Sequence, residues 1–265
     1  MANGFALPLQ QLWTHRDLLY ELVSRELKVR YRRSALGFLW SLITPIYQII
    51  IYTVVLKYVM GWGPKNLSVS ILTAIIPWTF FSVGVLNSCS AVMRYRNVVK
   101  KVYFPRQMLP LATVMANLIH LVLSAVVLFG LFLAIPVAFT SSFFFLIVLV
   151  AGQTLLVAGL GFIVACLHTF YQDVEYALTN LMQVGMFLTP VIYPFSMLNG
   201  QPDLYRTLYY LNPMAVYTEG WRGCLLRNEL PDPYYLAIAL GVSFVTFLIG
   251  LALWRRYEWR FPEVI

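Results

Sequence analysis

Charge is what this chain has least of: only 11% of its 265 residues are Asp, Glu, Lys or Arg, against about 25% in a soluble domain. With 60% apolar residues, so few charges cannot clothe a water-facing surface. Soluble enzyme and disordered tail are excluded, and one polytopic membrane domain is the class left. The mean hydropathy of +0.73 agrees. Cysteine is scarce too: Cys89, Cys166 and Cys224 form no C-x-x-C pair, which excludes a zinc knuckle and a disulfide frame. They read as small buried apolar residues. The 15 glycines and 14 prolines are scattered, so neither a low-complexity chain nor a solenoid repeat is present. The first long apolar run begins only after Arg33, too late for the apolar core of a cleavable signal peptide.

Chemical motifs are also missing. No G-x-x-x-x-G-K-[ST] loop occurs, and Gly61-Trp62-Gly63-Pro64-Lys65 has neither its spacing nor its context, so the chain does not hold ATP. H-E-x-x-H and G-x-S-x-G are absent. The one tight acidic pair, Asp173 and Glu175, reads as a turn capping the next helix, with a metal-bound donor as the alternative. His120 and His168 have no acid or cysteine at a metal-ligand spacing. No metal site, no catalytic residue and no enzyme activity are expected.

What is present is apolar sequence in blocks. Five stretches lack charge: Ser34 to Leu56, Asn66 to Met93, Gln107 to Gln172, Tyr176 to Pro202 and Pro233 to Trp254. A helix crossing about 30 Å of hydrocarbon needs about 20 such residues. The third stretch holds two helices, divided at Pro136 and the turn formers after it. The spacing therefore predicts an all-α protein of six transmembrane helices, at about 34–57, 67–91, 109–136, 143–169, 176–195 and 233–254. Fourteen of the 19 Lys and Arg lie on the side of the termini, which places both termini in the cytoplasm. The net charge of +8 follows from that bias and does not indicate nucleic acid.

Three segments are not plain spans. Residues 1–33 read as an amphipathic interfacial helix, with Leu9, Leu12, Trp13, Leu19, Leu22, Val23 and Leu27 at helical spacing and Arg25, Lys28 and Arg32 on another face. It suits anionic headgroups and a cytoplasmic subunit equally. Between spans two and three, Val98, Val99 and Val102 make a short apolar edge among cations; docking into a partner's groove and a plain positive-inside loop both account for it. After span five, Met214, Tyr217, Trp221 and Leu225 form a stripe beside Glu219 and Arg222, behind the Asn212-Pro213 break. That pattern predicts short helices dipping back from the outer face, with a surface-lying helix as the alternative. Residues 258–265 read as a cytoplasmic tail. Among the deeper aromatics, Trp40, Tyr47, Trp78 and Phe81 are candidates to line a conduit for sugars, although helix packing explains such rings as well. Gln48, Asn87, Asn117, His120, Gln153, Asn180 and Gln183 lie within spans and face something other than lipid.

Several blocks, in order along nearly the whole chain, resemble the ABC-2 type polysaccharide exporter permeases. They are Arg25 to Trp40 followed by Pro45, Arg96 to Arg106, Tyr171-Gln172-Asp173-Val174, Thr189-Pro190-Val191-Ile192-Tyr193-Pro194, and Leu211-Asn212-Pro213-Met214. The resemblance implies a homodimer with two copies of a separate cytoplasmic ATPase that holds ATP and magnesium. The machine would export a glycan or polyol phosphate polymer still attached to its polyprenyl pyrophosphate, across the cytoplasmic membrane of a bacterium. Arg96, Asn97, Val98, Val99, Lys100, Val102 and Tyr103 would form the helix coupling to the ATPase. Arg25, Lys28, Arg30, Arg32 and Arg33 would meet the lipid headgroup at a gate. Tyr217, Glu219, Trp221 and Arg222, within the re-entrant helices from Tyr205 to Leu226, would close the outer mouth. Gln172 stands where the family usually has arginine. Cations near the path, Arg30, Arg32, Arg33 and Arg222 among them, favour a polyanionic wall teichoic acid as cargo. A lipid-linked O-antigen or capsular polysaccharide is the alternative, and a membrane-embedded glycosyl or acyl transferase is the more distant one.

Overall fold

Uncharged runs of Leu, Ile, Val, Ala and Phe leave a backbone surrounded by hydrocarbon one local way to satisfy its N–H and C=O groups, which is the helix. The computed structural model describes residues 14–31, 34, 39–59, 61, 67–102, 104–134, 141–193 and 209–265, and every regular element among them is helical. Helix α1 is Arg16–Tyr31. Helix α2, Trp40–Thr53, continues as a π-helical turn over Val54–Val59. Then come α3 (Leu67–Cys89), the short α4 (Ala91–Arg94) and α5 (Arg96–Lys101), α6 (Met108–Ala134), α7 (Leu146–Phe170) and α8 (Val174–Leu188). The chain closes with α9 (Pro213–Arg222), α10 (Pro233–Tyr257) and α11 (Phe261–Val264).

Among the described residues, four stretches are long and apolar enough to cross a membrane: Val69–Cys89, Met108–Gly130, Ser141–Phe170 and Pro233–Val264. They carry the predicted second, third, fourth and sixth spans. The other two coincide with shorter helices: α8 has 15 residues, about 22 Å at 1.5 Å per residue, short of a hydrocarbon core by itself.

Local chemistry sets the helix starts. Asn212 accepts a hydrogen bond from the Met214 N–H, and Asp232 does the same for Tyr234; each cap is followed by proline in the first turn. Asp173 occupies the cap position of α8 but makes no side-chain cap bond. The capping expected of this turn is thus confined to the dipole end, and Glu175 points elsewhere, as shown below.

The helices pack around two apolar clusters. One fills the middle of the bundle and the end that carries α9, joining Leu72, Val85, Leu128, Leu149, Tyr217 and Trp221. The other lies at the end that carries α1 and joins Leu22, Tyr95, Val99, Cys166, Trp254 and Phe261. The most extensive helix pair is α7 with α10. Its closest approach is glycine on backbone: a Cβ on Gly159 would stand 2.6 Å from the Phe247 Cα, and one on Gly250 would strike the Gly159 carbonyl oxygen. Membrane helices approach this closely only through small residues. Gly250→Val should therefore lower the thermal unfolding midpoint in detergent, by an amount equivalent to about 1–3 kcal/mol of overpacking. Gly241→Val, which adds its Cβ to open space, should not.

The segment read as a tail, 258–265, folds back on the bundle. Phe261 is fully buried, with its ring 5.0 Å from Trp254 and 6.1 Å from Phe170. The Trp254 indole donates to Glu258 at 3.1 Å, and Arg106 donates to the Glu258 carbonyl at 2.6 Å. Helix α11 packs against α5.

Candidate functional site

At the α1 end, two four- to six-residue helices would not hold a shape alone, because a single turn cannot repay its nucleation cost. The structure fixes them from three sides. From α1, Glu26 accepts from the Tyr95 hydroxyl at 3.0 Å and lies 3.5 Å from the Arg94 guanidinium. Arg25 sits over the Tyr95 ring at 4.7 Å, a cation–π contact. From within, Arg94 donates to the Asn87 carbonyl at 2.8 Å, and Arg30 donates to the Asn117 side-chain oxygen at 3.0 Å. From below come α11 and Phe261. Burial, with Glu26 adding to it, pushes the Tyr95 phenol up to about 12, so it is a neutral donor throughout the physiological range. Tyr95→Phe should loosen α1 from α5 by about 1 kcal/mol, read as faster amide exchange in α1.

This arrangement divides the expected apolar edge of α5. Val99 is 2% exposed and belongs to the subunit's own core, and Val98 is half-buried beside it. Residues four apart share a helix face, so Val99 follows the buried Tyr95 inward while Arg96 and Lys100 turn out together. The exposed surface here is therefore Arg96, Asn97, Lys100, Lys101 and Val102, cationic with one apolar residue. Tyr103, like Arg32 and Arg33, lies outside the described residues.

Where α1, α2, α3 and α6 meet, a cavity of about 310 Å³ is lined by Arg30, Trp40, Gln48, Thr79, His120 and Ser124, among others. It brings one of the headgroup cations beside one of the conduit aromatics. Lys28 is exposed on α1, away from it. The four conduit aromatics separate. Trp40 and Tyr47 on α2 are 46% and 43% exposed. Trp78 and Phe81 are buried in α3, 5.4 Å apart, with Trp78 against Gly185 of α8; they are packing, because α3 is surrounded by α2, α6, α7, α8 and α9. Of the polar residues within spans, Gln153 donates to the Pro77 carbonyl at 2.6 Å and Asn87 to Asn117 at 3.3 Å. These hold helices together. Thr179, Asn180 and Gln183 on α8 are exposed.

Near them a second cavity, of about 590 Å³, lies between the end of α7 and the start of α8. Here His168 approaches Glu175 to 3.6 Å, an acid beside histidine that sequence spacing does not reveal. Among the described residues no group of three potential ligands gathers around a metal position.

At the α9 end, Arg222 is 1% exposed. Its Nε donates to the Ser70 carbonyl at 3.0 Å, and its terminal nitrogens donate to the carbonyls of Pro190, Val191 and, at 3.1 Å, Tyr193. Glu219 lies 3.4 Å from Arg222 and 2.9 Å from Arg227. Trp221 is buried, and the buried Tyr217 hydroxyl pairs with Ser243 at 2.7 Å. The four residues expected at an outer gate thus form a clamp that ties α9 to α3, α10 and the strand of chain after α8. The part of the expected re-entrant segment within 194–208 lies outside the described residues.

The sequence has known relatives. A family model described as ABC-2 type transporter matches residues 17–226. The O-antigen export system permease protein RfbA of Myxococcus xanthus is 31% identical over 258 residues, covering 97% of this chain and 98% of that protein. An RfbA of Klebsiella pneumoniae is 28% identical over 250 residues, covering 94% and 95%. The polysialic acid transport protein KpsM of Escherichia coli is 25% identical over 251 residues, covering 89% and 92%. With the family model matching residues 17–226 and a relative 31% identical over 97% of the chain, this chain belongs to the ABC-2 type transporter membrane family.

Proposed function

We propose that this protein is the permease subunit of an exporter that moves an O-antigen-type polysaccharide, still attached to its polyprenyl pyrophosphate, across the bacterial cytoplasmic membrane. Two copies pair with two copies of a separate ATPase, and both termini face the cytoplasm. The observation that carries this reading is the braced, cationic outer face of α5 on a chain without an ATP-binding loop: a partner must supply the energy, and this surface is built to receive it. The cavity at Arg30 and His120 accepts the pyrophosphate headgroup. Exposed Thr179, Asn180 and Gln183 on α8, with Trp40 and Tyr47 on α2, face a hydrated path between the two copies, since amides are costly against lipid.

The preference for wall teichoic acid gives way. The full-length relatives are named for O-antigen and polysialic acid transport, and Arg222, counted among the cations for a polyanion, is engaged by backbone carbonyls. ATP turnover by the complex in liposomes separates the two cargoes. Stimulation by a lipid-linked O-polysaccharide is expected; stimulation by a lipid-linked teichoate alone would overturn the assignment.

A further inference from the structure

A third cavity, of about 410 Å³, opens on the outer side of the α7–α10 pair at the α1 end. Its apolar lining is Ile163, the buried Cys166 and Phe170 from α7 and Leu253 from α10, with the exposed Leu167 at its edge. Its mouth carries the Tyr171 and Tyr257 rings and the Arg260 guanidinium. The groove therefore has hydrocarbon chemistry at depth and a cation with two phenols where the apolar helices end.

What covers it follows from the neighbouring surface. The residues exposed along α10 are apolar, Val242, Phe244, Val245, Leu248 and Ile249 among them, and Ile147 and Val148 continue this face on α7. The exposed face of α8 is mixed instead, with Thr179, Asn180 and Gln183 beside Leu181, Val184, Phe187 and Leu188. With its exposed side chains apolar through the span, the α7–α10 face suits contact with lipid, and aromatic rings with arginine at a helix end are the usual marks of headgroup depth. Only a molecule apolar at one end and anionic at the other satisfies both halves of the groove, whose volume lies in the range of small-molecule sites.

We propose that this groove is a binding site for one anionic phospholipid per subunit, with an acyl chain between α7 and α10 and its phosphate on Arg260. The occupied groove would brace the ends of α7 and α10 that carry Phe170 and Trp254, and through them Phe261. The site does not depend on the exported cargo.

The test uses the delipidated full-length protein in detergent, with the thermal unfolding midpoint followed during titration with phosphatidylglycerol, phosphatidylcholine and glycerol phosphate. Phosphatidylglycerol should raise the midpoint saturably near one lipid per chain. Arg260→Gln should weaken its apparent affinity about fivefold, the worth of one cation at a lipid surface. Leu167→Trp, which fills the groove from an exposed position, should abolish the shift while leaving the lipid-free midpoint unchanged; Leu253→Phe serves if that variant does not fold. Equal response to phosphatidylcholine, or equal response to glycerol phosphate, would overturn the proposal. So would a phosphatidylglycerol shift that survives both groove-filling variants. A change in oligomeric state on filling the groove would instead assign it to a second copy of this chain, and would overturn the lipid site too.

Discussion

Arg222→Ala should unfold the α9 end of the subunit, lowering stability by about 3–5 kcal/mol, because several buried carbonyls lose their donor at about 1–3 kcal/mol each while Glu219 keeps Arg227. The guanidinium is the donor for the carbonyls of Ser70, Pro190, Val191 and Tyr193 and sits against Glu219. Without it, buried acceptors from three separate parts of the chain lose a donor together. Arg222→Lys keeps the charge but not the planar fork, so it should recover less than half of the loss. The measurement is the thermal unfolding midpoint of each purified variant beside its export activity. If Arg222 acted instead on the passing polymer, the alanine variant would keep its midpoint and lose only export.

Reversing two charges on the outer face of α5, with Arg96→Glu and Lys100→Glu together, should have the opposite signature. Both residues are exposed, so the fold should change by no more than about 0.5 kcal/mol. Export should fall at least tenfold, because like charges set across an interface cost several kcal/mol and hinder docking. Val99→Asp gives the complementary control: it buries a carboxylate in the cluster that holds α5 and should destabilise the isolated subunit. Phe261→Ala should act similarly by leaving a cavity under the helix, at about 3–5 kcal/mol. Wild-type export by the double reversal, in a complex that still assembles, would refute α5 as the docking surface.

The membrane helices were legible because their signal is local. Charge-free runs, the Asn212-Pro213 break and the apolar stripe of α9 each sit within a few residues of the structure they produce. Facing was less so. Periodicity fixes the spacing of Val98, Val99 and Val102 but not the azimuth, which is set by what α5 lands on, and that includes Phe261 more than 150 residues away. Trp78 and Phe81, candidates for a conduit, lie buried within the subunit, and a ring in a helix shows nothing of whether that helix is central or lateral. The pairing of Tyr95 with Glu26 joins residues 69 apart and left no mark in either segment. Polarity within apolar runs was the more dependable guide, since Gln153, Asn87 and Asn117 all proved to bond across helices.

On the proposed function, this chain forms a path for a lipid-linked polysaccharide and borrows its energy from another protein. The most direct measurement is accumulation of such a polymer inside proteoliposomes, with the subunit reconstituted alone and with its cognate ATPase. The account predicts ATP-dependent accumulation with the complex and none with the subunit alone. Accumulation by the subunit alone, or a complex that hydrolyses ATP on substrate without moving it, would contradict it.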